Sequence, residues 1–189
     1  MRCLNCRCLS IKTFCKSCKK ILSEHTLSKR EFNGFKVYSF YKYSDIKNLI
    51  HSKHHLYGVF IYKNLAKLSF TKFAKTFKFN EKILAIPLDD NIKSDYSHTA
   101  ILAKALNSSE IKPIYNALRA NSDVKYSGKS LKFRLQNKRD FKILKKINKP
   151  VILVDDLITT GSTMKEAFKV CQKAGINVLF GLTLADAKE

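Results

Sequence analysis

Residues Val151–Thr163 read Val-Ile-Leu-Val-Asp-Asp-Leu-Ile-Thr-Thr-Gly-Ser-Thr, and they constrain this chain more than any other segment. Four apolar residues, Val151–Val154, have the length and β-branched content of a short strand buried on both faces. Asp155 and Asp156 follow at that strand's expected end, and small hydroxyl residues then surround Gly161. A helical pattern begins directly afterwards with Met164, Ala167, Phe168 and Cys171. Strand, polar turn and helix N-terminus in this order make an anion site, because backbone N–H groups and the positive end of the helix dipole converge on one point. Thr159, Thr160, Ser162 and Thr163 add hydroxyl donors, and Gly161 lets the backbone approach a phosphate closely. Asp155 and Asp156 are acceptors, suited to sugar hydroxyls or a metal. An ordinary helix cap requires neither paired carboxylates nor five consecutive small polar residues.

The segment resembles the phosphoribosyl-pyrophosphate (PRPP) loop of the type I phosphoribosyltransferases. The Gly-x-x-x-x-Gly-Lys-Ser/Thr pattern of nucleotide hydrolases is absent. The resemblance implies that Asp155 and Asp156 hold the ribose 2′- and 3′-hydroxyls. It implies that Thr159, Thr160, Gly161, Ser162 and Thr163 wrap the 5′-phosphate, with magnesium accompanying PRPP. A second apolar run, Ile83–Leu88, ends before Asp89-Asp90 and precedes a helical pattern starting at Ser97. A doubly wound parallel sheet places such loops together at the strands' C-terminal edge, so Leu88 and Asp89 join the PRPP-binding candidates. The expected fold is therefore α/β, a type I phosphoribosyltransferase-like parallel sheet flanked by helices.

The N-terminus carries Cys3-Leu-Asn-Cys6 and Cys15-Lys-Ser-Cys18. Each pair places two thiolates on one turn, and two such knuckles complete a closed tetrahedral site for structural zinc. Cys8 is left spare, and His25 is a weaker alternative ligand. Some twenty residues bury little core, so zinc would supply the folding free energy of this module, on the order of 10 kcal/mol. The expected division is a zinc-binding knuckle over residues 1–30 and the phosphoribosyltransferase-like domain over 31–189. Six cysteines and a start unlike a secretory signal point to a reducing cytoplasm. No apolar run reaches the ~18 residues of a membrane span.

Between these landmarks the pattern predicts a strand at Lys36–Tyr41 and a helix after Asp45 with Ile46, Leu49 and Ile50 inward. It predicts one basic amphipathic helix carrying Leu65, Leu68, Phe73 and Phe77, a strand over Ile111–Leu118 and a closing strand over Val178–Leu184. The net charge of +21 is unevenly spread. Residues 1–82 carry 18 basic and 4 acidic side chains, and 119–149 carry 11 and 2. Such clusters suit a nucleic-acid backbone, and the candidate contacts are Lys12, Lys16, Lys19, Lys20, Arg134, Lys138 and Arg139. Lysine supplies 30 of the 36 basic residues, which equally suits a merely soluble surface.

The two C-x-x-C pairs, the Tyr41–Lys53 stretch, Ile86-Pro87-Leu88, Arg134-Leu-Gln-Asn137 and Val151–Thr163 together resemble the ComF family of competence proteins. That resemblance implies PRPP binding and the handling of incoming single-stranded DNA during natural transformation, with helicases and recombination proteins as partners. Two segments depart from the family pattern. Ser94-Asp95-Tyr96-Ser97-His98 stands where the family has Arg-Gly-Phe-Asn-Gln, and Arg119 is followed by Ser, Asp and Lys in place of Arg-x-x-x-x-Thr-x-x-Gln. Three readings stay open: a phosphoribosyltransferase, a DNA-binding adaptor with PRPP as regulatory ligand, and a nucleobase-salvage enzyme.

Overall fold

The computed structural model describes residues 1–88, 96–120 and 139–188, so Asp89, Arg134 and Lys138 lie outside the described residues. The N-terminal cysteines lead into α1 (Lys16–Ser23), and a hairpin of β1 (Ser28–Phe32) and β2 (Phe35–Lys42) follows. Its two-residue turn is Asn33-Gly34, with φ of 51° and 83°, the doubly left-handed geometry that matches strand twist. Next come α2 (Tyr43–His51), a 3-10 turn at Ser52–His54, α3 (Gly58–Leu68), α4 (Phe70–Thr76) and β3 (Ile83–Pro87). The described chain continues with α5 (His98–Ala105), β4 (Ile111–Pro113), β5 (Leu118–Ala120), β6 (Phe141–Ile143), β7 (Val151–Ile158), α6 (Ser162–Lys173) and β8 (Val178–Asp186).

Six strands form one sheet in the order β1-β2-β8-β7-β3-β4, and β5 pairs with β6 separately. Only β1 runs antiparallel to its neighbour in the large sheet. The expected α/β architecture is thus observed, with a mostly parallel sheet covered on both faces. One face packs against α2 to α5 through Ile46, Leu49, Leu65 and Phe70, and Cys3, Phe14, Cys18 and Leu22 of the N-terminal segment enter that same cluster. The other face is covered by α6 through Met164, Ala167 and Cys171. Along β7 the period of two sends Ile152 and Val154 to the first cluster and Val151 and Leu153 to the second.

Most expected elements are present, and three differ for identifiable reasons. The single basic helix is two, because Ser69 departs from regular helical angles (φ −116°, ψ −77°) while its hydroxyl donates to the Leu65 carbonyl at 2.7 Å. Such back-bonding bends helices. The strand expected over Ile111–Leu118 stops at Pro113, which has no N–H for a ladder, and Asn116 turns the chain at φ 50° before β5. Conversely, β7 runs four residues beyond its apolar run, to Ile158.

Candidate functional site

The extra length of β7 changes the reading of its carboxylates. Asp155 pairs with Thr183, Leu157 with Ala185 and Ile158 with Asp186 of β8, so the acidic pair sits inside the strand, not after it. Side chains alternate along a strand, and Asp155 and Asp156 therefore leave β7 on opposite faces. Asp156 points with Ile152 and Val154 toward α3 and α5, whereas Asp155 shares the α6 side with Leu153.

Asp156 is 6% exposed, yet it is well partnered. Its Oδ2 lies 2.9 Å from Lys53 Nζ, accepts from the Tyr62 hydroxyl at 3.2 Å and lies 3.4 Å from His98 Nε2. Lys53 comes from the 3-10 turn, Tyr62 from α3 and His98 from the first position of α5, where the Ser97 hydroxyl caps the helix by accepting from the Ala100 N–H. Burial alone would raise the Asp156 pKa, but Lys53 and His98 hold it well below the usual carboxylate range. The same carboxylate raises Lys53 against the effect of burial. Asp155 behaves oppositely: burial and the neighbouring Asp156 charge push it up to about 8, opposed by Arg139 and Lys53. Its Oδ1 accepts from the Asp156 backbone N–H at 2.8 Å. Burial and their partners thus push the two carboxylates in opposite directions, Asp156 toward the anion and Asp155 toward the protonated form.

These shifts set a pH dependence. Between about pH 4 and pH 8 native Asp155 holds a proton that the unfolded chain has released, so its contribution to stability falls as pH rises through that window. Asp156 contributes stability above pH ~4 and loses it on acidification. Asp155→Asn is expected to flatten the decline between pH 5 and pH 8 in urea-unfolding midpoints. An unchanged decline would contradict the assignment.

The turn after β7 is shaped by the β1 hairpin. An Arg30 Nη1 donates to the Thr159 carbonyl and pairs with Asp186 at 3.2 Å, fixing the start of the turn. Phe32 lies under Gly161, with the Arg30 guanidinium 5.2 Å and Lys165 Nζ 5.0 Å from its ring centre. Gly161 has φ +75°, and a Cβ there would stand 2.5 Å from Phe32 Cζ. Gly161→Ala is accordingly expected to cost about 1–3 kcal/mol and to open the turn, measured by denaturant unfolding; a cost under about 0.5 kcal/mol would contradict this packing. The hydroxyls of Thr160 and Ser162 are 2.8 Å apart, and α6 begins at Ser162 with no acidic residue in its first turn. Its first-turn N–H groups have no preceding helical carbonyls to bond and face this turn. Thr159, Thr160, Gly161, Ser162 and Thr163 therefore surround one helix N-terminus, with Thr163 in the first turn and half-buried. Leu88 is buried, and its N–H donates to the Val154 carbonyl at 2.8 Å, which brings the end of β3 beside the carboxylates.

Arg139 is half-buried and feels Asp155, Asp156 and Glu166, placing it beside the acidic pair as well as in the basic segment. Its N–H and that of Asp140 donate to the two Glu166 oxygens at 3.1 and 2.8 Å. Lys12, Lys16, Lys19 and Lys20 are exposed on the N-terminal segment. No local pattern marks Lys53, Tyr62 or Arg30 as site residues, because their partners lie 103, 94 and 129 residues away.

In the N-terminal segment the sulfurs of Cys3, Cys6, Cys8 and Cys15 all lie within 4.8 Å of one another, and four such thiols could bind a metal such as zinc. Cys6 Sγ is 3.4 Å from Cys8 Sγ and 3.7 Å from Cys15 Sγ, close to the ~3.8 Å edge of a tetrahedral zinc–thiolate site. This group contains Cys8, which the spacing leaves spare, and not Cys18. Cys18 stays adjacent, its N–H donating to Cys15 Sγ at 3.5 Å and its sulfur accepting from Asn5 Nδ2 at 3.3 Å. His25 instead packs its ring against Phe40 and Tyr41, with centroids 5.2 Å from each.

No family model matches the chain. A 41-residue stretch is 49% identical to the transcriptional regulator GfcR of Methanosphaera stadtmanae, covering 22% of this chain and about a fifth of that protein. Among solved structures, a hypoxanthine phosphoribosyltransferase from Staphylococcus aureus overlaps 66% of this chain and 62% of its own at 18% identity and a TM-score of 0.42. An adenine phosphoribosyltransferase overlaps 89% and 88% at 15% identity and 0.41, and a phosphoribosyltransferase from Corynebacterium diphtheriae 90% and 81% at 15% and 0.40. Among the described residues no helix is long and apolar enough to cross a membrane.

Proposed function

We propose that the chain binds magnesium–PRPP at the C-terminal edge of its sheet. The observation that carries this is the Thr159–Thr163 turn at the N-terminus of α6, held next to two carboxylates of opposite protonation behaviour. The turn supplies backbone and hydroxyl donors for the 5′-phosphate. Asp155, with the Asp156 carboxylate behind it, faces the ribose hydroxyls and any magnesium carried by the ligand. Lys53 and Arg139 offer positive charge beside the acidic pair for the pyrophosphate, and His98 a ring N–H. A phosphoribosyl transfer here would rest on positioning and charge stabilisation. Release of pyrophosphate from PRPP in the presence of single-stranded DNA or free bases tests turnover. If PRPP binds and no pyrophosphate is released, the adaptor reading stands in place of the enzyme.

Single-stranded DNA is proposed as the partner, with a role in natural transformation in the cytoplasm alongside helicases and recombination proteins. The supporting observation is the surface joining the knuckle to α3, where Asn64 Nδ2 donates to Thr13 Oγ1 at 3.2 Å. Tyr57 and Phe60 are 48% and 60% exposed there, and Tyr57 stacks on His55 at 5.0 Å. Exposed rings of this kind can stack on successive bases in a sequence-tolerant way. Salt-sensitive binding that weakens in Tyr57→Ala/Phe60→Ala supports this surface, and salt-insensitive binding would overturn it.

A further inference from the structure

Strand β1 is the outermost strand of the large sheet and hydrogen-bonds to β2 alone. Its hairpin turn has two residues, which makes Phe32 and Phe35 a hydrogen-bonded pair, and the antiparallel ladder alternates from there. Ser28, Arg30 and Phe32 therefore turn their backbone groups to β2, and Lys29 and Glu31 turn theirs outward. Among the described residues no backbone bond from another segment reaches Lys29 or Glu31. The side chains divide as well. Arg30 and Phe32 reach the Thr159 carbonyl and Gly161 of the turn after β7, while Lys29 and Glu31 stand on the opposite face with side chains 51% and 47% exposed.

We propose that two copies of the chain join edge to edge through β1, antiparallel and in the register that sets Arg30 against the partner's Arg30. In that register Lys29 stands opposite the partner's Glu31. These are the residues whose N–H and C=O groups point outward, so each such pair exchanges both backbone bonds. A shift of one residue sets outward groups against groups already bonded to β2. A shift of two restores the bonds but sets Lys29 against the partner's Lys29, or Glu31 against the partner's Glu31, and like charges directly opposite are destabilising. Bonding and charge together select one register, which a two-fold axis closes at Arg30. Each Arg30 guanidinium is held by its own Thr159 carbonyl and Asp186. A lone lysine on an edge strand blocks such pairing, whereas Lys-x-Glu complements itself. The net charge of +21 opposes association, but salt screens it beyond about 8 Å, and facing side chains in a ladder sit ~5 Å apart.

Sedimentation equilibrium of the full chain at about 0.15 M salt is expected to show a reversible monomer–dimer equilibrium. The amides of Lys29 and Glu31 should gain hydrogen-exchange protection as concentration rises. Lys29→Glu and Glu31→Lys each set like charges opposite one another at both contacts and should raise the dissociation constant about 10-fold or more. The double variant K29E/E31K keeps complementarity and should recover the wild-type value. An equimolar mixture of the two single variants should form heterodimers, because each supplies the charge the other lacks. Exposed pairs of this kind contribute little to folding, so all the variants stay folded. A wild-type chain that is monomeric up to about 1 mM would overturn the proposal. So would a dimer unmoved by either single reversal, or a mixture no more associated than its components. PRPP plays no part in these readouts.

Discussion

Asp156→Asn should destabilise the chain by about 3–5 kcal/mol and abolish binding of PRPP, the larger of the effects expected at the carboxylate pair. The cause is not the loss of an exposed ion pair. The Lys53 side chain is 24% exposed and that of Asp156 8%, and they meet at 2.9 Å with the Tyr62 hydroxyl on the same oxygen. Removing the negative charge leaves a largely buried ammonium beside a buried phenol with no anion between them. Replacing both partners with uncharged groups removes that cost, so Asp156→Asn/Lys53→Met should recover much of the stability while binding stays lost. Urea unfolding of the four proteins in this cycle gives the coupling directly. A loss below about 1 kcal/mol in Asp156→Asn would show that Lys53 finds other compensation.

Removal of the metal should have the second large effect. The N-terminal segment has almost no core of its own, and Cys3, Phe14, Cys18 and Leu22 gain burial only by docking on the α/β body. A metal held by the four thiols would fix the turns that present them, and binding free energy of that kind is folding free energy, on the order of 10 kcal/mol for a structural zinc module. Cys15 is placed to be the most sensitive ligand. Its sulfur belongs to the four-thiol group and also caps α1, so Cys15→Ser disturbs that group and the helix start together. Chelation or Cys15→Ser is expected to lower the thermal midpoint by more than about 10 °C. An unchanged midpoint after verified metal removal would show that packing alone holds this segment.

How much of this could be read from residues depended on whether the governing interaction was local. The helix start at Ser97, the α2 stripe of Ile46, Leu49 and Ile50 and the strand over Lys36–Tyr41 are decided within short stretches of chain, and all stand where the pattern puts them. The phosphate-type turn was legible for the same reason. The length of β7 was not, because Asp155 and Asp156 are poor strand formers and only pairing with β8 holds them in the sheet. That misreading also hid the division of the two carboxylates between opposite faces. Lys53, Tyr62 and Arg30 carry no local mark of a site residue, since each reaches its partner across about half of the chain or more. The break at Ser69 had a local cause, a hydroxyl bonded four residues back, but the apolar stripe masked it.

Titration of the chain with PRPP in a calorimeter, with and without magnesium and at pH 7 and pH 9, tests the central claim most directly. One magnesium-dependent site per chain is expected, lost in Asp155→Ala/Asp156→Ala. Proton release at pH 7 that disappears at pH 9 is expected as well, because Asp155 is pushed up to about 8 and must give up its proton to meet the ligand's cation. Absence of saturable heat from the wild-type protein, or binding that survives the double substitution, would contradict it.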